Sequence, residues 1–138
     1  PLAVEVEGGD YYRRHSSIIS NGVAPWITAS GCRGISNITM QILPKNMPAG
    51  DPLTYTIKLY FAEPDNLRSG ERVFNVYVQD KCLISGLDIV REAGGPLCGL
   101  IKELSGIQIA KQLSIRLEPT KKSRHPPVLS GIEAVYTH

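Results

Sequence analysis

A chain of 138 residues with a formal charge of +2 has the size of one domain and can bury enough surface to fold alone. The small charge argues against nucleic-acid binding, and no apolar run approaches the roughly 20 residues that a membrane-spanning helix needs. Three cysteines are an odd number without metal-ligand spacing, which favours free or buried thiols; a Cys82–Cys98 bridge stays an open alternative.

The N-terminal third predicts two strands joined by a long irregular segment. Apolar and polar residues alternate over residues 2–7, and Gly8-Gly9 is expected to end this strand in a sharp turn. Residues 16–34 are mainly small or polar and contain Trp26. Because irregular segments of that length are often binding loops, we expect ligand contacts there. A second strand is expected over residues 35–43.

The clearest strands lie in the middle of the chain. Residues 53–61 alternate almost without fault, and the strand should end before Pro64, since proline cannot donate to a sheet ladder. A second strand is predicted over residues 72–79. We interpret both as core strands of a β-sandwich and leave open whether they pair directly. The first strand's buried face is predicted to hold Leu53, Tyr55, Ile57, Leu59 and Phe61.

The C-terminal half predicts further short strands. Residues 81–84 and 87–90 are short apolar runs, and residues 112–118 alternate cleanly. Apolar side chains stand at both even and odd positions in residues 100–109, so the pattern does not show which face of this strand is buried. A basic loop over 119–127 leads into the final strand at 128–136. Short strands separated by turn signals, without a helix of three turns, predict an all-β sandwich or barrel.

The sequence contains no recognisable catalytic arrangement. It has no Gly-x-Ser-x-Gly elbow, no His-x-x-x-His or Cys-x-x-Cys pair and no glycine-rich nucleotide loop. Glu63, Asp65 and Glu71 are close in sequence, yet glycoside hydrolysis needs two carboxyl groups that face each other across a sugar. Carboxylates in loops are ordinarily solvated. We therefore predict no enzyme, no cofactor and no metal.

Residues 55–63 and 70–78 resemble the middle of a malectin or malectin-like domain. Residues 113–118 and 127–133 resemble its late strands, and the match extends from about residue 4 to residue 136. The resemblance implies a jelly-roll β-sandwich of two antiparallel sheets, of the carbohydrate-binding kind. The animal lectin of the family has two adjacent aromatics after its Ala-Glu pair, whereas here Ala62-Glu63 is followed by Pro64-Asp65.

A sugar is bound by aromatic side chains that cover its C–H face and by polar groups that pair with its hydroxyls. Trp26 has a second interpretation as a core residue, and Tyr60 and Tyr77 lie opposite their strands' apolar faces. In malectin-like lectins, ligand-contacting aromatics follow the first glycine turn. The predicted carbohydrate-binding residues are Tyr11, Tyr12, Trp26, Glu63, Asp65, Arg68 and His125.

These observations predict a non-catalytic carbohydrate-binding module that recognises an oligosaccharide or polysaccharide through loops at one end of the sandwich. The alternative is a structural or protein-interaction domain that has lost the sugar site. Residues 1–138 are expected to be one domain of a larger secreted or extracytoplasmic protein, bacterial or secretory, beside neighbouring domains. Asn37-Ile38-Thr39 is a glycosylation sequon, which matters only in a eukaryotic secretory host.

Overall fold

The computed structural model describes the backbone of residues 4–13, 30–41 and 50–137, and the side chains of residues 37–40 and 50–137. The regular secondary structure in these ranges is almost entirely strand, with one short helix. No helix in them is long and apolar enough to cross a bilayer. The elements in this part of the chain are β1 (Val4–Arg13), β2 (Ser30–Gln41), β3 (Leu53–Ala62), β4 (Phe74–Val78), β5 (Lys81–Leu87), α1 (Ile89–Ala93), β6 (Gly99–Ile109), β7 (Gln112–Pro119), β8 (Val128–Leu129) and β9 (Gly131–Tyr136).

The strands form two antiparallel sheets. The larger sheet has the order β1-β2-β7-β4-β5, and β8 pairs with β2 beyond the end of β7. The smaller sheet has the order β6-β3-β9. The predicted all-β jelly-roll sandwich of two antiparallel sheets is confirmed.

The core lies between the two sheets. Ile57, Leu59 and Phe61 of β3 are fully buried, as the alternation predicted, whereas Leu53 at the start of β3 is 47% exposed. The rings of Phe61 and Phe74 meet across the core with centroids 5.9 Å apart. The two central strands therefore do not pair, because β3 and β4 belong to opposite sheets that face each other.

A β-bulge resolves the ambiguous face of β6. Tyr55 pairs with Ile107 but Ile57 pairs with Leu104, so β6 has one residue more than β3 between these pairs. Gly106 takes a φ of 72°, a backbone conformation that glycine adopts without steric cost. The extra residue moves the buried side chains of β6 from one parity to the other, which is why the sequence pattern alone looked undecided.

The predicted end of the first strand is wrong. β1 continues through the glycine pair as far as Arg13, with an irregularity in register between Glu7 and Gly8. The extra residue, Ser36, lies on β2, and the strand pairing resumes at Gly8 and Ile35. Strand β2 also begins earlier than predicted, at Ser30. Residues 14–29, which include Trp26, lie outside the described residues.

Two further details differ from the sequence pattern. The apolar run at 87–90 leads into helix α1, whose N-cap is Asp88. The last strand is interrupted at Ser130, whose N–H donates to the Tyr60 carbonyl oxygen at 2.8 Å. The chain crosses from the larger sheet to the smaller one there, so β8 and β9 lie in different sheets.

Candidate functional site

Three connections meet at one end of the sandwich, which we call the loop end: residues 63–73, 94–98 and 120–127. The register explains the grouping. Ala62, at the end of β3, pairs with Gly99 at the beginning of β6. Phe74, at the beginning of β4, pairs with Pro119 at the end of β7. The predicted polar candidates of the β3–β4 and β7–β8 loops are thereby collected at the loop end.

A buried ion network braces the β3–β4 loop. Arg72 Nη1 lies 2.8 Å from Glu63 Oε2, and Arg72 Nη2 lies 3.1 Å from Asp65 Oδ2. The Asp65 N–H also donates to Glu63 Oε2 at 3.0 Å. Glu63 is 0% exposed and Arg72 is 3% exposed. Buried charges persist only when they are paired, so this network holds the loop in one shape, and the Glu63 side chain is out of reach of a ligand.

Asp88 connects helix α1 to the same loop. Its carboxylate accepts hydrogen bonds from the Gly70 N–H at 2.7 Å, the Ser69 hydroxyl at 3.0 Å and the Arg91 N–H at 3.2 Å. The side chain is buried and its partners satisfy both oxygens. Sequence reasoning gave this carboxylate no role, although an aspartate directly before an apolar helical turn is an N-cap signal.

The β7–β8 loop is fastened to the β3–β4 loop. The Arg124 N–H donates to the Glu71 carbonyl at 2.9 Å, and the Val73 N–H donates to Ser123 Oγ at 3.0 Å. His125 Nε2 lies 4.0 Å from Glu71 Oε2, and both side chains are partly exposed. The two loops therefore form one continuous surface with His125 on it.

The predicted site residues divide into three groups. Asp65, Arg68 and His125 lie together at the loop end, with Arg68 exposed and the other two half-buried. Tyr11 and its neighbour Tyr12 lie in β1; Tyr11 pairs with Cys32, which pairs with Leu129, so the register brings their backbone to the same end. Glu63 is internal, and Trp26 is outside the described residues.

The other two tyrosines considered for sugar stacking, Tyr60 and Tyr77, are each held by a neighbouring side chain of the sheet. Tyr60 is 7% exposed, and its hydroxyl donates to Glu133 Oε2 at 2.9 Å. That hydrogen bond, together with burial and the charge of Glu133, raises the pKa of Tyr60 above its ordinary value of 10.0. Tyr77 lies under the guanidinium of Arg116, whose Cζ is 3.9 Å from the ring centroid. The three loops of the loop end contain no aromatic residue, so stacking there depends on residues of the N-terminal part.

A second concavity, which we call the edge cleft, was not foreseen from the sequence. It lies between β5, α1 and β6 and has a volume of about 630 Å³. Leu83 on its wall is 41% exposed, and an ion pair between Glu92 and Lys102 closes one side. Its lining residues are Leu83, Ile84, Ser85, Gly86, Asp88, Arg91, Glu92, Lys102, Glu103 and Leu104.

The described side chains show no metal cluster, and two of the acids considered for hydrolysis are engaged with an arginine. No group of three His, Cys, Asp or Glu side chains converges within these ranges. Of the acids considered for hydrolysis, Glu63 is sealed against Arg72 and Asp65 is bonded to the same guanidinium, so they do not face each other across open space. Cys82 and Cys98 are not joined to each other by a disulfide, so the alternative bridge between them is absent.

Comparison with known families agrees with this architecture. The model of the malectin domain matches residues 45–132, which is more than half of the chain. The chain belongs to the malectin family. The resemblance drawn from the sequence motifs is therefore confirmed. The matched residues contain β3 to β8 and all three connections of the loop end.

Malectin-family relatives of this chain are much longer proteins. A probable receptor-like protein kinase of Arabidopsis thaliana, At5g39020, is 31% identical in an alignment over 90 residues that covers 57% of this chain and 11% of that protein. The present chain thus spans about a tenth of this curated relative. The expected bacterial parent protein is not supported, because the curated relatives that match are plant kinases.

Solved malectin-like structures share the fold at low sequence identity. The ANXUR2 extracellular domain from Arabidopsis thaliana superimposes with a TM-score of 0.76 at 16% identity, over 96% of this chain and 40% of that one. The complex of the plant peptide RALF23 with FER and LLG2 gives a TM-score of 0.74 at 17% identity, over 96% and 40%. At these identities the likeness establishes the fold alone.

Proposed function

We propose that this malectin domain is a non-catalytic glycan-binding domain that binds through its loop end. The observation that carries the proposal is the cross-linking of two loops into one surface that presents Arg68 and His125. Their fixed backbones lower the entropic cost of ordering a site when ligand binds. Tyr11 and Tyr12 are the candidates for the aromatic component, since β1 reaches the same end. Neighbours in a strand point to opposite faces, so one of the two rings is proposed to meet the ligand.

The domain acts as part of a larger protein that is exposed outside the cytoplasm. Matching relatives include a receptor-like kinase and a solved extracellular domain, in agreement with the extracytoplasmic location expected from the sequence. We infer that residues 1–138 form one domain of such a receptor. In that position the domain would hold a polysaccharide or oligosaccharide without transforming it.

Titration with oligosaccharides tests the proposal. The chain is screened on an array of cell-wall and N-linked glycans, and each positive is measured by calorimetry. We expect saturable binding that weakens about tenfold in His125→Ala and in one of the two variants Tyr11→Ser and Tyr12→Ser, the size of one stacking or charged contact. Lys58→Ser, in the smaller sheet, is the matched control and should bind normally. A flat array with a folded chain would contradict glycan binding.

A protein-interaction domain is the second candidate, favoured by the edge cleft. Among the strands that the structure describes, β5 and β6 lie at the ends of their sheets, and the cleft between them exposes Leu83. An edge strand offers unpaired backbone groups to an extended partner segment. Selection from a displayed peptide library would separate the two candidates. Peptides whose binding is lost in Leu83→Ser but kept in His125→Ala support the second one.

A further inference from the structure

The single Asn-x-Ser/Thr sequon of the chain, Asn37-Ile38-Thr39, lies on β2, which pairs with β1 on one side and β7 on the other. Ile38 is 3% exposed and belongs to the core, so its two neighbours point to the opposite, outer face. Asn37 and Thr39 are both half-exposed there. The two side chains that define the sequon therefore share the outer face of the sheet.

A planar stack adjoins Asn37 on that face. Asn37 pairs with Arg116 on β7, and Arg116 pairs with Tyr77 on β4. The Arg116 guanidinium lies over the Tyr77 ring, with its Cζ 3.9 Å from the ring centroid, and also pairs with Glu118. Adjacent strands are about 4.8 Å apart, so this stack begins one strand away from Asn37. Its size and distance suit a single sugar ring attached to the asparagine.

We propose that Asn37 carries an N-linked glycan whose first N-acetylglucosamine packs on the stacked Arg116 and Tyr77. This rests on the proposed extracytoplasmic location, in a eukaryotic secretory pathway. The donor is a lipid-pyrophosphate-linked oligosaccharide. A bond forms between Asn37 Nδ2 and C1 of the sugar, and the bond from C1 to the pyrophosphate oxygen breaks. The lipid pyrophosphate leaves with the electron pair, and one Nδ2 proton is released.

A glycan at this position would restrict where partners can bind. It covers the outer face of β2, β7 and β4 in the larger sheet, while the loop end and the edge cleft stay outside the stack. The packing also gives Tyr77 a role. Its ring holds the Arg116 guanidinium flat against the sheet, and the guanidinium then meets the sugar, so the aromatic acts through its neighbour.

Occupancy is tested on the chain secreted from eukaryotic cells that are kept from trimming high-mannose glycans. Intact mass should show one glycan on the parent chain and none on Thr39→Val, which keeps Asn37 but removes the sequon. Thr39→Ser should stay glycosylated, because serine also completes a sequon. A secreted, folded parent chain without glycan on Asn37 would overturn the proposal while leaving the location and the glycan-binding function untouched.

Packing is tested by melting the protein after endoglycosidase H has left one N-acetylglucosamine on Asn37. The trimmed chain should melt about 3 °C above its Thr39→Val counterpart, the shift expected of one good contact in a domain of this size. In an Arg116→Ser background the same comparison should give less than about 1 °C. Lys58→Ser, a matched removal of a cation from the other sheet, should keep the full difference. An equal difference in melting temperature in the parent, Arg116→Ser and Lys58→Ser backgrounds would overturn the proposed packing.

Discussion

Two regions of this domain each hold an ion pair between a basic side chain and a glutamate, but in opposite surroundings. At the loop end, the Arg72–Glu63 pair has side chains that are 2% and 1% exposed and an N–O distance of 2.8 Å. On the smaller sheet, the Lys58–Glu103 pair is 34% and 60% exposed and separated by 3.5 Å. The buried pair cannot exchange its partner for water, whereas the exposed pair can. The comparison indicates that an ion pair holds the β3–β4 loop in shape because its side chains are buried, and that the mere presence of opposite charges is not enough.

Arg72→Met should have the largest effect. It leaves the Glu63 carboxylate buried beside no cation, and loss of one partner from a buried pair costs about 3–5 kcal/mol. The loss is measured as the difference in the free energy of unfolding between the variant and the parent chain, by urea denaturation at neutral pH. Lys58→Met is the matched control on the exposed pair. If both variants lost the same stability, the distinction between the two regions would fail.

Asp88→Ala should come second. It removes the N-cap of α1 and leaves the Gly70 N–H and Ser69 hydroxyl without their acceptor, a loss of about 2–3 kcal/mol. Asp88→Asn keeps one acceptor oxygen, so its free energy of unfolding should fall by less. Hydrogen exchange should show faster exchange of Gly70 in the alanine variant. Unchanged exchange at Gly70 would mean that the aspartate does not hold the loop.

Tyr60→Phe, in the smaller sheet, should have the third-largest effect on the free energy of unfolding. Removing the hydrogen bond to Glu133 should cost about 1 kcal/mol at pH 7. Because the folded-state pKa of Tyr60 is raised, its contribution is fully present below pH 10 and is lost as the pH rises further. Urea denaturation at pH 7 and above pH 10 should therefore show that the free energy of unfolding of the parent chain falls at high pH. The fall should be smaller in Tyr60→Phe. A parallel decline in both proteins would contradict the assignment.

Lys58→Met should have the smallest effect, within about 0.5 kcal/mol of the parent chain. Its Glu103 partner is largely exposed and can be solvated when the cation is removed. Adding salt should change the stability of the parent chain and of the variant by nearly the same amount, since water and ions already screen the pair. A loss above 1 kcal/mol would show that the exposed region is more tightly coupled than its burial indicates.

The candidate site was only partly accessible to sequence reasoning. The pattern gathered Asp65, Arg68 and His125 as polar loop residues, and the fold places their loops together. It could not show that Glu63 is internal, because its burial depends on Arg72, nine positions later and on the far side of the loop. The edge cleft was missed altogether, since it is formed by β5 and β6, which come from different sheets.

By itself the sequence determined the strands β3, β4 and β7 and their buried faces, and its motifs identified the malectin family. Alternation suffices for this because side chains of a strand repeat every second residue, whichever strand lies beside it. Only the tertiary structure decided that β3 and β4 face each other, that Gly106 shifts the inward face of β6, and that Ser130 divides the last strand. These features depend on pairing between distant segments, and a local period carries no information about that pairing.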